Sequence, residues 1–148
     1  MSTYRQILYH LIFRTKNSDK SLNLNSNNEL YAFICGTIKR KGCHVYRING
    51  MEDHIHILSD LHPSIALSDY MRDIKTSSSI WLKQVGDFPL FKGWADGYAA
   101  LTYTYRDKGM IINYIKNQQK HHLTETFEQE YRRFLKEFGV DIDERYFP

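Results

Sequence analysis

The residues best suited to chemistry stand close together in the stretch EDHIHILSD, Glu52 to Asp60. His54 and His56 are one residue apart in a run that otherwise reads as a strand, so both rings point to one face while Ile55 and Ile57 point to the other. Neutral imidazole nitrogen is a metal ligand, and two rings at this spacing can share one divalent ion. The alternative is the polar outer face of an amphipathic strand. Asp53 can orient an imidazole as an acceptor, or it can simply be solvated at the mouth of a hairpin. A second group lies in GMIINYIKNQQKHH, Gly109 to His122. On a helix Tyr114 and Gln118 are four residues apart and share a face, beside a stripe of Ile111 and Ile115. A tyrosine hydroxyl can act as a nucleophile, or the ring can pack and leave its hydroxyl wet. His121 and His122 read as helix-end residues that complement the carbonyl dipole, outside the site.

The elements that must position these residues follow from periodicity. QILYHLIFRTK alternates Tyr9, Leu11 and Phe13 against Leu8, His10 and Ile12, apolar on both sides as in a central strand. Leu30, Phe33, Ile34 and Ile38 mark a helix that Gly42 closes. A strand CHVYRI follows, and Asn49-Gly50 signals a hairpin into the histidine strand, with Met51 to Asp53 lengthening the connection. Pro63-Ser64 opens a longer helix that ends near Gly86, and the loop from Gly86 to Gly97 leads into a fourth strand, YAALTYTY. The order βαββαβ is the split βαβ, ferredoxin-like arrangement, an α+β fold with a four-stranded antiparallel sheet, two helices on one face and the other face open. Asp107 is placed to cap the tyrosine-bearing helix, and Thr126 with Gln129 makes a capping-box start for a last helix, FEQEYRRFLKEFG.

The 148 residues fit one domain with a single core, spanning 1–148, and 42% hydrophobic with 25% charged residues is ordinary globular composition. A net charge of +3 and a pI near 8.8 allow a local basic patch without demanding a nucleic-acid partner. Cys35 and Cys43 suit a reduced cytosolic chain better than a disulfide framework. No apolar run is long enough to span a membrane and MSTYRQ lacks a signal-peptide pattern, so the expectation is a cytoplasmic protein.

Taken in order on these elements, Asp53-His54-Ile55-His56 and the later Tyr114 with Gln118 in NYIKNQ resemble the single-tyrosine HUH transposases of small insertion sequences that move as single-stranded DNA. The likeness covers roughly residues 4 to 122, with Thr15-Lys16, IKTSSS and GWADGYAA as lesser landmarks. Glu52 stands where the family commonly has proline, which alters the turn more than the ligands. The resemblance implies that Tyr114 is the catalytic nucleophile, forming a 5′-phosphotyrosine bond to DNA. It also implies that His54, His56 and Gln118 hold one Mg²⁺ or Mn²⁺, and that the substrate is single-stranded DNA with hairpin-marked ends. A homodimer is implied too, in which the tyrosine helix of one subunit can complete the histidine site of the other. Phenol, with a pKa of about 10, leaves more easily than an aliphatic alcohol, so such a join is reversible. Phosphate contacts would come from a pool of Arg14, Lys16, Lys39, Arg40, Lys41, Lys75, Lys116 and Lys120, with Tyr103 or Tyr105 to stack on bases. Two rival readings are an HUH endonuclease of the rolling-circle type and a non-catalytic single-strand binder on the same sheet.

Overall fold

The computed structural model describes residues 3–147; Met1 and Ser2, at the head of the MSTYRQ stretch, and Pro148 lie outside it. The chain runs through β1 (Tyr9–Arg14), α1 (Asn27–Arg40), β2 (Val45–Gly50), β3 (His54–Ser59), α2 (Leu67–Gln84) and β4 (Ala99–Thr102). The strands form one antiparallel sheet in the order β2-β3-β1-β4, the ferredoxin-like topology expected from the element order. Beyond it come α3 (Lys108–Lys116), α4 (Gln118–His121) and α5 (Phe127–Glu137). None of these helices is long and apolar enough to cross a membrane.

Strand alternation divides the core in two. Leu11, Phe13, Ile55 and Ile57 face α1 and α2, where Ile34, Ile38, Met71 and Ile74 meet them. At about 1.5–3 kcal/mol for each large apolar side chain taken out of water, this layer is the main source of stability. The opposite face carries His10, Ile12, His54, His56 and Leu58, and it is not open. The apolar stripe of α3, Ile111 and Ile115, packs on Leu8 and Leu58. Phe127, Phe134 and Leu135 of α5 pack with Ile12, Ala99 and Leu101. The expectation of an open face is therefore corrected: two amphipathic segments after β4 need an apolar partner, and this face supplies one.

Local differences have local causes. Asn49 and Gly50 are the last residues of β2 rather than the turn, and Met51 to Asp53 make the connection. Gly50 is required there by close approach, since a Cβ would lie 2.3 Å from the carbonyl oxygen of His54. The fourth strand keeps only four of its expected residues. Asp107 makes no side-chain cap; it instead accepts from the Thr104 hydroxyl at 3.2 Å, closing a single 3₁₀ turn (Tyr105–Asp107) before α3. The expected capping box of α5 is present, with Gln129 N–H donating to Thr126 Oγ1 and Thr126 N–H to Gln129 Oε1. Gly42, at φ 75°, closes the chain end of α1.

Candidate active site

His54 and His56 sit on β3 in the middle of the sheet, and both are fully buried. The tyrosine segment is not one helix. It breaks at Asn117 (φ −99°, ψ 24°), leaving Tyr114 on α3 and Gln118 at the start of α4. Asn49 of β2 holds that break. Its Nδ2 donates to the carbonyls of Ile115 and Lys116, each at 3.0 Å, and its Oδ1 accepts from Gln119 Nε2 at 2.8 Å. The last-turn carbonyls of α3 are thereby satisfied by the sheet itself. Gln118, now fully buried, turns toward β3, and its Oε1 lies 3.1 Å from His54 Nε2.

Between the histidines and the tyrosine stands Glu130 of α5, which sequence reasoning did not single out. Its side chain is 0% exposed. Oε1 lies 2.8 Å from His56 Nε2 and 3.2 Å from the Nε2 atoms of both His54 and His122. Oε2 accepts from Gln118 Nε2 at 2.9 Å and from the Tyr114 hydroxyl. Burial alone would raise the carboxyl's pKa, but the facing imidazoles outweigh it and hold the group ionised, well below the usual carboxylate range. His122, left aside as a helix-end residue, thus belongs to the site. Its signal in the sequence was its spacing, four residues after Gln118, one turn further along the same face.

The ionised carboxylate fixes the protons around it, because it can only accept. His56 donates through Nε2, and burial pushes its pKa down, so the ring is neutral and its Nδ1 accepts. His10 Nε2 donates to that Nδ1 at 2.7 Å, and His10 Nδ1 in turn accepts from the Tyr103 hydroxyl at 3.2 Å. Tyr103 is therefore committed to this chain of bonds. His54 differs: burial opposes its charge, but Asp53 at 2.6 Å on Nδ1 and Glu130 on Nε2 prevail and raise its pKa to about 9. Asp53 is the orienting acceptor that its position suggested.

Tyr114 is held from both sides. Its ring stacks on His121 at 4.4 Å between centroids, and its hydroxyl accepts from Arg133 Nη2 at 2.8 Å while donating to Glu130. Burial first, and then the neighbouring carboxylate, raise the phenol's pKa, with Arg133 opposing. Arg133 is itself anchored by Glu125. Tyr114, the expected nucleophile, and the three expected ligands are thus brought to one place within a single chain, His54 and Gln118 in direct contact and Tyr114 and His56 joined to them through Glu130.

The basic pool is dispersed. Lys39 and Arg40 end α1, and Lys75 lies on α2, all in the helical layer across the sheet from the histidines. Lys75 donates to the carbonyls of Ala95 and Gly97, tethering the loop before β4, and Lys41 pairs with Asp73 at 2.5 Å. Lys116 and Lys120 are exposed on α3 and α4, and Tyr105 is exposed beside Lys108. Arg14 and Lys16 line a cleft of about 610 Å³ together with Lys92, Trp94, Arg145 and Tyr146. That cleft combines guanidinium and ammonium groups with aromatic rings, the ingredients for gripping a single strand.

A histidine pair on the central strand of a split βαβ sheet, with a tyrosine helix laid across it, defines an HUH-type tyrosine nuclease. The description of the IS200-like transposases matches residues 3–118, and the chain belongs to that family. It is 25% identical over 120 residues to the ISDra2 transposase TnpA of Deinococcus radiodurans, a span of 76% of this chain and 84% of that protein. Its fold is similar to that of a candidate transposase from Deinococcus radiodurans, with a TM-score of 0.62 and 23% identity over 80% of this chain and 95% of the other. It is also similar to a REP-associated tyrosine transposase bound to a REP hairpin, with a TM-score of 0.61 and 16% identity over 82% and 74% of the two chains. Membership implies use of a divalent metal. The donors present fit one, since ligand atoms of His54, His122 and Glu130 lie within 4.8 Å of one another. The family match ends at Gln118, before His122, Glu130 and Arg133.

Proposed function

We propose that this transposase cleaves and rejoins single-stranded DNA at hairpin-marked ends through a phosphotyrosine formed on Tyr114. The observation that carries the reading is one carboxylate, Glu130, bonded at once to the Tyr114 hydroxyl and to His54, His56 and Gln118. Nucleophile and expected metal ligands therefore surround a single point, which is where a scissile phosphate would have to sit. In the cleavage step the Tyr114 hydroxyl loses its proton and its oxygen forms the new bond to phosphorus. The bond from phosphorus to the 3′ oxygen breaks, and that oxygen takes up a proton as a 3′-hydroxyl. Rejoining is the reverse, with a 3′-hydroxyl attacking the phosphotyrosine and the phenol regained. A bound Mg²⁺ or Mn²⁺ supplies charge to polarise the phosphate. Arg133, donating to the tyrosine oxygen, steadies the negative charge that gathers there in both directions.

Because His54, His56, Gln118 and Glu130 are all fully buried, a strand reaches them only when α5 draws Glu130 back. The REP hairpin on one structural relative supports a folded single strand as substrate. Arg14 and Lys16 at their cleft, and Lys116 and Lys120 beside the tyrosine, are the basic residues best placed to hold its phosphates. Lys39 and Arg40 lie behind the sheet and would touch DNA that wraps around it. Association as a homodimer belongs to the family reading, although a complete set of site residues is present in each chain. The test is incubation of the full chain with pooled hairpin-bearing single strands and Mn²⁺, followed by a denaturing gel. A protein band shifted by covalent DNA is expected; its absence with every hairpin overturns the reading.

A further inference from the structure

A basic, aromatic cleft opens from the edge of the histidine site. Arg14 ends β1 and is the antiparallel partner of His54, and by alternation it shares the face of His10, Ile12 and the histidine pair. Partners across such strands stand about 4.5–5.5 Å apart between Cα atoms, so the cleft begins one residue from the site. An adjoining hollow of about 210 Å³ joins Arg14 to Phe127 and Tyr131 of α5. The cleft itself, of about 610 Å³, is lined by four cationic side chains, Arg14, Lys16, Lys92 and Arg145, against one carboxylate, Asp96. The whole chain carries only +3, so positive charge is gathered here.

Two aromatic rings line the same space. Trp94 is held from behind, its ring meeting Phe13 and Phe91 edge-on at 4.8 and 5.1 Å between centroids and its Nε1 donating to Ser78 Oγ at 3.0 Å. Tyr146 is 76% exposed, but the segment that carries it is anchored. Glu144 takes both terminal nitrogens of Arg132 at 2.8 and 2.9 Å, and Phe147 stacks on Tyr131 at 5.4 Å. Tyr131 stacks on Phe127 at 5.2 Å, and Phe127 on His54 at 4.1 Å. A column of near-parallel rings thus ties this wall of the cleft to the site. Cations beside open ring faces suit a polyanion that presents flat rings of its own, which an unpaired nucleic-acid strand does and a duplex, its bases stacked inside, does not.

We propose that this cleft is a subsite for the unpaired nucleotides adjoining the scissile phosphate, in which Arg14 and Lys16 hold backbone phosphates and one base enters between Trp94 and Tyr146. The inference rests on single-stranded DNA as the substrate of the proposed function. Arg145, Tyr146 and Phe147 come from outside the residues that the family description matches, so one wall of the subsite is built from the added C-terminal segment. Stacking accepts any base, and the subsite therefore grips the strand without reading its sequence.

The experiment uses the full chain in chelator, so that no cleavage intervenes, with a thymidine dodecamer as the probe. Trp81 and Trp94 are the two tryptophans, and Trp81 is stacked on Phe33 in the helical layer. Quenching of tryptophan emission by the dodecamer should therefore persist in Trp81→Phe and vanish in Trp94→Phe. Tyr146→Ala is expected to weaken binding by about fivefold or more, read by anisotropy of a labelled strand. An abasic dodecamer, which keeps the phosphates and lacks the rings, should bind the wild type less tightly by a similar factor and be indifferent to Tyr146→Ala. Arg14→Gln should weaken both strands alike and lower the slope of log affinity against log salt by about 0.7, one phosphate contact. Lys83→Ala, the same loss of charge at the exposed end of α2, should change neither. Circular dichroism checks folding, and Lys16→Gln, on the surface, stands in should Arg14→Gln fail to fold. Quenching retained in Trp94→Phe, wild-type affinity in Tyr146→Ala, equal effects of Lys83→Ala and Arg14→Gln, or no binding of the dodecamer by the wild type would overturn the subsite. A covalent adduct on hairpin DNA beside any of these results would leave the transposase reading standing, whereas quenching specific to Trp94 without an adduct would keep the subsite and remove that reading.

Discussion

Glu130 concentrates five hydrogen-bond partners on one buried carboxylate, and the consequences of single substitutions follow from who is left unpaired. Tyr114→Phe removes one donor among several and, on the proposed mechanism, the attacking oxygen, so the protein should stay folded and bind hairpin DNA while its covalent adduct disappears on a denaturing gel. An undiminished adduct would reject Tyr114. His56→Ala is a different kind of change. It strips a 2.8 Å donor from a fully buried charge and also strands His10, so a stability loss of about 3–5 kcal/mol is expected, read as a lower urea midpoint in chelator. A midpoint equal to the wild type would show that the carboxylate is not ionised in the folded chain.

The α3–α4 break and the start of α5 decide whether these residues meet at all. Asn49 satisfies two carbonyls at the end of α3 and clasps Gln119, so Asn49→Ala should cost about 1–3 kcal/mol and slow adduct formation, because Gln118 then loses its fixed direction. Asn49→Asp should not rescue it, since a carboxylate cannot donate to those carbonyls. Wild-type adduct rates in Asn49→Ala, measured on folded protein, would sink this role. At the other element, Thr126→Ala removes the side-chain half of the capping box and should destabilise by about 1 kcal/mol. That loss should loosen α5 preferentially, visible as faster amide exchange over residues 127–137 than over α1 or α2. Uniform exchange would mean that α5 opens only with the whole fold.

For the molecule as a whole the question is whether one chain suffices. Tyr114 and His56 are bonded to the same Glu130 of their own chain, so each subunit is expected to act with its own tyrosine. Mixing Tyr114→Phe with His56→Ala protein, with subunit exchange shown to occur, should therefore restore no cleavage. Recovery of a fraction of the wild-type adduct would establish a site shared across a two-fold axis, as the family resemblance implied.

The sequence by itself determined the sheet and the face that carries the histidine pair. Alternation in β1 and β3 fixed which side chains share a face and set His54 beside His56, while Tyr114 was singled out by the family resemblance. The capping box of α5 was also plain, because its partners are three residues apart. What only the tertiary structure decided is the closing of that face. His54 and Glu130 are separated by 76 positions, and no local pattern distinguishes a glutamate on an amphipathic helix from a solvated one until the helix finds its seat. The helix break at Asn117 was hidden for the same reason, since the group that stabilises it, Asn49, comes from β2. Short-range periodicity encodes which way a side chain points; burial of a charge among distant partners is set by packing, and here packing supplied the carboxylate at the centre of the site.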